Sequence, residues 1–234
     1  MKVDIWSDVR CPFCYIGKHK FEKALQEFSQ KEHIEVVWHS FELDPYIKTD
    51  AGKSIYDHLA ENKGISRQQA EQMVAYSTRM ADEVGLKFNQ ERSVVANSFN
   101  AHRLIQFAKT KGPGNEAEER LFKAYFEEGK NIDDKAVLIQ TGIAIGLDKK
   151  ELEDLWSSDA FEKEVREDES AAQRIGIHGV PFFVFDQKYA VSGAQSPEVF
   201  SEALEQGWSE YEKKQNLVIL EEGKSCSVDG NCDL

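Results

Sequence analysis

The stretch Cys11-Pro12-Phe13-Cys14 decides how the rest of the chain is interpreted. An extended, apolar segment precedes it at residues 1–7, and a run of apolar residues at helical spacing follows it. The stretch therefore lies where a strand passes into a helix. There, the free N–H groups and the dipole of the helix N-terminus would stabilise a Cys11 thiolate. Cys14 comes one helical turn later on the same face, so the two sulfurs are placed to form and break a disulfide.

Two other interpretations of this spacing remain open. Two cysteines can be half of a zinc site, which needs a second pair of ligands. The remaining cysteines, Cys226 and Cys232, lie in a polar C-terminal stretch, and their separation is wider than the about two to four residues of usual zinc-ligand pairs. The motif cysteines can also be small buried hydrophobes. The histidines show no ligand spacing, so we expect no metal and favour redox chemistry.

Charge and hydropathy narrow the class of protein. The chain has 234 residues, with 42 acidic and 29 basic side chains and a formal net charge of −13. Such a charge favours a soluble protein and argues against binding to nucleic acid or to an anionic membrane. The longest apolar runs, such as residues 180–185, are far too short to span a bilayer. Because no signal-peptide pattern precedes the first strand, we expect a cytoplasmic protein, in which cysteines are more often reactive than structural.

The order of predicted elements divides the chain into four parts. These are residues 1–50 (strand, helix, strand), 51–176 (helices), 177–214 (strand, strand, helix) and 215–234 (a polar tail with the second cysteine pair). The strands are predicted at residues 1–7, 34–43, 181–185 and 188–192, with a first helix from residue 12 to about residue 31. Helical spacing also assigns one stripe of large side chains to the core. This stripe consists of Met73, Tyr76, Met80 and Val84.

Four motifs make the chain resemble a known family. They are residues 6–17 (WSDVRCPFCYIG), 97–104 (NSFNAHRL), 176–183 (GIHGVPFF) and 192–195 (SGAQ). With the order of elements, they resemble the DsbA family of thiol–disulfide oxidoreductases, and more narrowly its cytoplasmic FrnE-like branch, over essentially the whole chain. The resemblance implies an α/β protein with a DsbA-like thioredoxin fold and a large all-helical insertion. It also implies an enzyme that oxidises, reduces or isomerises protein disulfides without a bound cofactor.

The resemblance assigns roles to single residues. Cys11 would exchange with the substrate disulfide and Cys14 would resolve the mixed disulfide. Pro181 stands where members of the family carry a cis proline that faces the two cysteines. Cys226 and Cys232 correspond to an extra C-terminal cysteine pair of FrnE-like proteins, either an auxiliary redox pair or an inert disulfide.

Substrate recognition is expected next to the cysteines. Backbone groups at Val180 would pair with an extended segment of a client protein, and Pro12 and Phe13 would contact it. The strongly oxidising DsbA enzymes have histidine where this chain has Phe13, so the resemblance leaves the direction of the reaction open. The expected partners are protein thiols and disulfides. The sequence does not identify the small thiol or reductase that restores the cysteine pair.

Other functions are compatible with the same fold. Kappa-class glutathione transferases and hydroxychromene-carboxylate isomerases resemble the chain, but they typically lack the first cysteine, so Cys11 and Cys14 count against this alternative. A client-binding chaperone or a thiol metal-binding protein is a third hypothesis. We expect His102 to be structural; in the alternative, Asn97 and His102 line the groove that faces Cys11.

Overall fold

A four-stranded sheet lies at the centre of the structure, a computed structural model that describes residues 1–215. Its strands are β1 (Lys2–Ser7), β2 (Glu35–Ser40), β3 (Phe182–Phe185) and β4 (Tyr189–Ser192). The strand order is β2-β1-β3-β4, with β1 parallel to β2 and antiparallel to β3, and β3 antiparallel to β4. Because β1 is an inner strand, the residues that follow it, including Cys11, lie near the middle of the sheet.

Nine α-helices are formed by the described residues. They are α1 (Pro12–Glu27), α2 (Ile55–Lys63), α3 (Arg67–Glu83), α4 (Phe99–Lys111), α5 (Gly114–Phe122), α6 (Lys135–Ala144), α7 (Lys149–Trp156), α8 (Glu162–Arg174) and α9 (Pro197–Gln215). A π-helical turn, Lys123–Glu127, continues α5. Helices α2 to α8 come from the stretch between β2 and β3. Within residues 1–215, no helix combines the length and the apolarity needed to cross a membrane.

One part of the hydrophobic core lies between the sheet and helices α1 and α9, which pack against each other. Phe21 of α1 contacts Phe183 of β3 and Phe200 of α9, at ring-centroid distances of 5.5 and 5.8 Å. All three side chains are fully buried. Burying each contributes roughly 1.5–3 kcal/mol of hydrophobic free energy. This core fixes α1, and thereby the two cysteines at its start, against the sheet.

The helical insertion packs on both the sheet and α1. Trp6 of β1 stacks on His39 of β2 at 4.4 Å, and its indole N–H donates to the carbonyl oxygen of Asp168 in α8 at 3.2 Å. Tyr15 of α1 stacks on Phe122 of α5 at 4.8 Å. The chain therefore has the predicted α/β architecture, a thioredoxin fold with a helical insertion. The division into four parts stays an interpretation.

Two elements end several residues before the apolar pattern predicts. Helix α1 ends at Glu27 because Phe28 is extended and its N–H bonds back to the carbonyl oxygen of Leu25 at 3.2 Å. Strand β2 ends at Ser40, although the N–H of Phe41 still bonds to the carbonyl oxygen of Ser7 at 3.0 Å. Both differences are local and leave the order of elements unchanged.

The prediction that the whole large-residue stripe of α3 is core is wrong. Met73 is 43% exposed and Tyr76 is 52% exposed. A neighbouring stripe of smaller residues faces the protein instead; it consists of Ala70, Val74, Ser77 and Ala81. Met80 and Val84 pack at the margin of the core. The small side chains allow α3 to approach its neighbours closely, so Met73 and Tyr76 lie outside the core.

Candidate active site around Cys11 and Cys14

Cys11 is the N-cap residue of α1, so the predicted strand-to-helix setting is confirmed. Its backbone is extended, with φ −88° and ψ 113°, and its N–H donates to the carbonyl oxygen of Asp8 at 2.9 Å. The Cys11 carbonyl oxygen accepts a hydrogen bond from the N–H of Cys14 at 3.1 Å. Pro12 occupies the first helical position, where a missing N–H leaves no bond unmade. The Cys11 thiol therefore lies at the positive end of the helix dipole.

Cys14 is the more deeply buried member of the pair. Both residues carry free thiols, and they are 4% and 1% exposed for Cys11 and Cys14 respectively. Burial, and then the adjacent Cys11 sulfur, raise the pKa of the Cys14 thiol well above its ordinary value. Cys14 is thus held as a neutral thiol next to a sulfur with which it can exchange. Such a pair can pass between dithiol and disulfide by exchange with an external disulfide or thiol, which takes up or supplies the two electrons.

The loop before β3 lies directly against Cys11. The Val180–Pro181 peptide bond is cis, which confirms the expectation from the resemblance. The Cys11 sulfur lies 3.6 Å from the carbonyl oxygen of Val180. Pro181 is buried, its carbonyl oxygen accepts from the N–H of Gly193 at 2.8 Å, and a Cβ atom at Gly17 would come within 3.0 Å of its ring. Packing therefore holds this backbone beside the thiol.

Buried polar side chains lie next to Cys14. Nε2 of His102 is 3.7 Å from the carboxylate of Asp8. Burial opposes charge on both groups, but their interaction prevails, because the pKa of Asp8 is lowered and the pKa of His102 is raised. Oγ of Ser7 lies 2.6 Å from Oε1 of Glu118, and burial raises the pKa of Glu118. The buried polar side chains next to Cys14 thus include one ion pair, Asp8 with His102, and one acid, Glu118, that keeps its proton to higher pH than usual.

A cavity of about 450 Å³ opens beside the cysteines. Residues 10–13 and Val180 form one side of it, and helices α2 and α3 of the insertion contribute much of the other. Phe13 is half-buried, and its ring lies 6.4 Å from that of Tyr76, centroid to centroid. Met73 also lines the cavity. The large side chains of α3 that are absent from the core therefore belong to the surroundings of Cys11.

Arg10 is a residue of the cavity wall that the sequence analysis did not single out. Its backbone N–H donates to the Asp8 carboxylate at 3.0 Å. In its side chain, Nε and Nη1 are buried and have no hydrogen-bond partner within the part of the chain that the structure describes. The sequence feature that points to Arg10 as a site residue is its position directly before Cys11.

Two other residues singled out from the sequence, Asn97 and His102, do not line this cavity. The Asn97 carboxamide accepts a hydrogen bond from the N–H of Phe99 at 2.7 Å, and His102 is buried. Neither is among the residues that line the cavity, so their alternative role in a groove facing Cys11 gains no support. Cys226 and Cys232 lie outside the described residues, and their redox role stays a prediction.

His19, Glu22 and Glu119 come together, although the histidines show no ligand spacing along the chain. Their potential donor atoms all lie within 4.8 Å of one another. The buried ammonium of Lys18, however, is 2.7 Å from a carboxylate oxygen of each glutamate. The carboxylates therefore already have a cation, and the cluster joins α1 to α5. The sequence could not indicate it, because Glu119 is distant along the chain.

Comparison with known proteins agrees with this architecture. The family model of the DSBA-like thioredoxin domain matches residues 2–205. The crystal structure of a probable DsbA oxidoreductase, SCO1869 from Streptomyces coelicolor, is 36% identical, with a TM-score of 0.86 over 100% of this chain and 99% of that one.

Two more distant structures share the fold. The cytosolic disulfide reductase DsbM from Pseudomonas aeruginosa, solved with GSH, is 17% identical, with a TM-score of 0.62 over 93% of this chain and 100% of that one. A 2-hydroxychromene-2-carboxylate isomerase is 16% identical, with a TM-score of 0.64 over 93% of this chain and 100% of that one. At such identities the likeness concerns the fold alone. On the family match, the chain belongs to the DsbA-like thioredoxin domain family.

Proposed function

We propose that this protein is a thiol–disulfide oxidoreductase and disulfide isomerase that acts on protein disulfides through Cys11 and Cys14. One observation carries the proposal: a free Cys11 thiol at the N-terminus of α1, 3.6 Å from the Val180 carbonyl oxygen, with Cys14 buried one turn behind it. Family membership supports oxidoreductase chemistry in general. The FrnE-like branch, the protein substrate and a cytoplasmic location are parts of the proposal.

The reaction is two successive thiol–disulfide exchanges. The Cys11 thiolate attacks one sulfur of the client disulfide, forms a mixed disulfide and releases the other client sulfur as a thiolate. Cys14 then loses its proton and attacks the Cys11 sulfur, which releases the second client thiolate and leaves a Cys11–Cys14 disulfide. The two electrons pass from the protein to the client, and the reverse sequence oxidises a client. No bound cofactor is needed, because the thiols supply both electrons.

The client is proposed to bind as an extended segment along the loop before β3. The Val180 carbonyl oxygen faces the site of exchange, and backbone pairing tolerates many client sequences. Pro12 and Phe13 are half-buried and add apolar surface beside Cys11. Tyr15, which follows Cys14 on α1, is only 1% exposed and packs in the core. It is therefore not part of the proposed client surface.

Serine variants of the two cysteines test the proposal. Cys11→Ser should abolish both the reduction of insulin and the oxidation of a reduced model protein. Cys14→Ser should instead accumulate mixed disulfides with the client, because attack occurs and resolution does not. Melting curves of both variants verify that they fold. If Cys11→Ser kept its activity and Cys14→Ser trapped nothing, the redox assignment would be wrong.

Further measurements on the wild-type protein and on the two serine variants distinguish the rival functions. A glutathione-dependent transferase or isomerase should be stabilised by glutathione, with a rise in melting temperature that depends on its concentration. A chaperone should protect an unfolded client equally well with and without the motif cysteines. A metal-binding protein should contain stoichiometric zinc after purification.

A further inference from the structure

Cys14 must lose a proton in the second exchange, but its thiol is closed to solvent. The residue is only 1% exposed, and it is not among the residues that line the cavity beside Cys11. A client on Cys11 would also cover the thiol from that side. The proton therefore passes most directly to a group inside the protein. The buried ionisable side chains next to Cys14 are Asp8, His102 and Glu118.

Asp8 and His102 are poor proton acceptors because each already serves the other. Nε2 of His102 is 3.7 Å from the Asp8 carboxylate, which also accepts from the backbone N–H groups of Arg10 at 3.0 Å and Leu43 at 2.8 Å. Burial would raise the pKa of Asp8, but His102 and Arg10 lower it. Burial would lower the pKa of His102, but Asp8 raises it. The carboxylate thus binds a proton weakly, and the imidazole already holds the proton that pairs it with Asp8.

Glu118 has the opposite character. Its Oε1 atom accepts a hydrogen bond from Oγ of Ser7 at 2.6 Å, and both residues are only 1% exposed. Burial is the largest influence on this carboxyl and raises its pKa, although the Ser7 hydrogen bond lowers it in part. A carboxylate whose pKa is raised towards neutrality can act as a general base near neutral pH.

The charges around Glu118 come from elements other than its own helix α5. They are His102 and Lys109 of α4, Lys18 of α1 and Asp8 of the loop that follows β1. His102 and Lys18 favour the ionised form of Glu118, whereas Asp8 disfavours it. Burial outweighs these charges, so Glu118 takes up a proton at a higher pH than an exposed glutamate does.

Ser7 connects Glu118 to Cys14. Burial, and then the Cys11 sulfur, raise the pKa of the Cys14 thiol, whereas hydrogen bonds with the Asp8 backbone and the Ser7 hydroxyl lower it. The hydroxyl therefore reaches the sulfur as well as Glu118, and a hydroxyl can accept one proton while it donates another. Ser7 ends β1, and Glu118 lies on α5 of the insertion. The helical insertion thus supplies the acid that the buried thiol lacks.

We propose that Glu118 takes the Cys14 proton through the Ser7 hydroxyl and thereby sets how long a client stays on Cys11 as a mixed disulfide. The inference rests on the proposed function. The Cys14 S–H gives its proton to Oγ of Ser7 while the Ser7 O–H proton passes to Oε1 of Glu118. The Cys14 thiolate then attacks the Cys11 sulfur, and the client sulfur leaves with the electron pair of the broken bond. When an external thiol later reduces the protein disulfide, Cys14 leaves as a thiolate and the same path returns the proton.

The lifetime of the mixed disulfide decides between two outcomes for the client. Fast attack by Cys14 releases a reduced client, whereas slow attack leaves time for another client thiol to attack and rearrange the client disulfides. Because Glu118 accepts a proton only when it is ionised, attack should be slow below its pKa and faster above it. The acid of the insertion therefore favours isomerisation at lower pH and net reduction at higher pH.

The rate of resolution at different pH values tests the relay. Reduced protein is mixed with the symmetric disulfide dimer of a one-cysteine peptide, and acid quenching with mass spectrometry follows conversion of the mixed disulfide into the protein disulfide. At high peptide concentration this rate no longer depends on the first attack. In the wild type it should rise in one step between pH 5 and pH 9. Glu118→Gln keeps the size of the side chain but cannot take up a proton, so it should lose this step and resolve roughly 10- to 100-fold more slowly at pH 8.

Two further variants separate proton transfer from packing. Glu119→Gln makes the same change one position along α5, where the carboxylate accepts from Tyr15 and Lys18 rather than Ser7, and it should keep the step. Glu118→Asp keeps the acid on a shorter side chain and should regain part of the rate that Glu118→Gln loses. An equal loss of rate in Glu118→Gln and Glu119→Gln would overturn the relay, because a general disturbance of α5 would explain both.

The wild type alone also tests the relay. A resolution rate that is independent of pH over this range overturns it, whether or not the variants fold. The ratio of scrambled-ribonuclease isomerisation to insulin reduction should rise in Glu118→Gln and not in Glu119→Gln, and an unchanged ratio would overturn the link to isomerisation. If the wild type formed no mixed disulfide with the peptide and Cys14→Ser trapped none, the proposed function itself would fail.

Discussion

Oγ of Ser7 lies 2.6 Å from Oε1 of Glu118, and both side chains are only 1% exposed. The same hydroxyl is close enough to the Cys14 sulfur to lower the pKa of that thiol, against the larger effect of burial. The Ser7 O–H donates to the Glu118 carboxylate, and burial raises the pKa of Glu118 against that hydrogen bond. A protonated Glu118 would donate to Oγ instead, and the Ser7 O–H would then be available to a Cys14 thiolate.

Replacing Ser7 should therefore slow the second exchange. In Ser7→Ala the Cys14 thiolate loses a hydrogen-bond donor, so the mixed disulfide on Cys11 should persist several-fold longer at neutral pH. Quenched-flow trapping and mass spectrometry measure its lifetime. Ser40→Ala is the matched control, since Ser40 pairs with Ser7 in register on β2 but its hydroxyl accepts from Gln106 at 2.9 Å. Equal lifetimes in the two variants would exclude a role for Ser7 in resolution.

Glu119 should stabilise the contact between the insertion and α1 in a pH-dependent way. Its carboxylate accepts from the hydroxyl of Tyr15 and the ammonium of Lys18, each at 2.7 Å. Burial would raise its pKa, but hydrogen bonds from His19, Lys18 and Tyr15 lower it to about 2. Since the folded pKa is depressed, this stability is present above the unfolded value of about 4.3 and is lost as the pH falls towards 2.

The variant Glu119→Gln measures this contribution. At pH 7 it should lower the free energy of unfolding by about 1–2 kcal/mol, towards the low end of the range for a broken charged hydrogen bond, because Glu119 is partly exposed to solvent. The difference from the wild type should shrink between pH 5 and pH 2 in urea titrations. Glu22→Gln, the other partner of Lys18, lies within α1 itself and should lower the stability less. A difference that stayed constant down to pH 2 would contradict the assignment.

His39 should have the opposite pH dependence. Its Nδ1 and Nε2 atoms each lie 2.7 Å from a carboxylate oxygen, of Asp168 and Asp4 respectively. Burial and the Lys109 charge lower its pKa, but these two hydrogen bonds prevail and the pKa is raised. A raised folded pKa gives stability that is full below the unfolded value of about 6.5 and is lost as the pH rises through the folded value.

The free energy of unfolding should therefore decline above neutral pH. In His39→Asn, the part of this decline that comes from the imidazole should be absent. Urea unfolding between pH 6 and pH 9 measures it, with His33→Asn as the control because His33 is exposed. A wild-type profile no steeper than that of His39→Asn over this range would show that the imidazole does not act as a charged link between β1, β2 and α8.

Local patterns are sufficient to predict the strands, the helical character of residues 51–176 and the strand-to-helix position of Cys11, whereas the thioredoxin fold that joins the strands in one sheet is an expectation from the resemblance. The spacing of apolar residues and the caps act over a few residues, so a single sequence contains them. The cis bond before Pro181 came from the resemblance, since nothing in the residues themselves distinguishes this proline.

Contacts between distant segments could not be predicted. Periodicity shows that α3 has an apolar face but not which stripe meets the protein, so it predicts Met73 and Tyr76 in the core, whereas both line the cavity. Ser7 and Glu118 are 111 positions apart, and only the packing of α5 on the sheet brings them together. The Nε and Nη1 atoms of Arg10 have no hydrogen-bond partner among the described residues. This depends on how the chain folds around them, so the sequence does not predict it.

A single substitution at Phe13 should shift the reduction potential of the Cys11–Cys14 couple. Its ring is half-buried at the cavity beside Cys11, and it offers no charge or hydrogen bond to a thiolate. Phe13→His would place an imidazolium there, which stabilises the reduced, thiolate form and makes the couple more oxidising. One charge-assisted hydrogen bond of about 1.5–3 kcal/mol corresponds to an increase in reduction potential of roughly 30–60 mV.

Equilibration with glutathione redox buffers at pH 7, followed by mass spectrometry of the trapped thiols, measures this potential. Phe13→Asn is the matched control, because it replaces the ring with a polar side chain of similar size to histidine but without a positive charge. It should raise the potential much less than Phe13→His. The gain in Phe13→His should also decrease as the pH rises and the imidazole loses its proton. A potential that is unchanged or more reducing in Phe13→His, or equal in the two variants, would mean that residue 13 does not face the Cys11 sulfur.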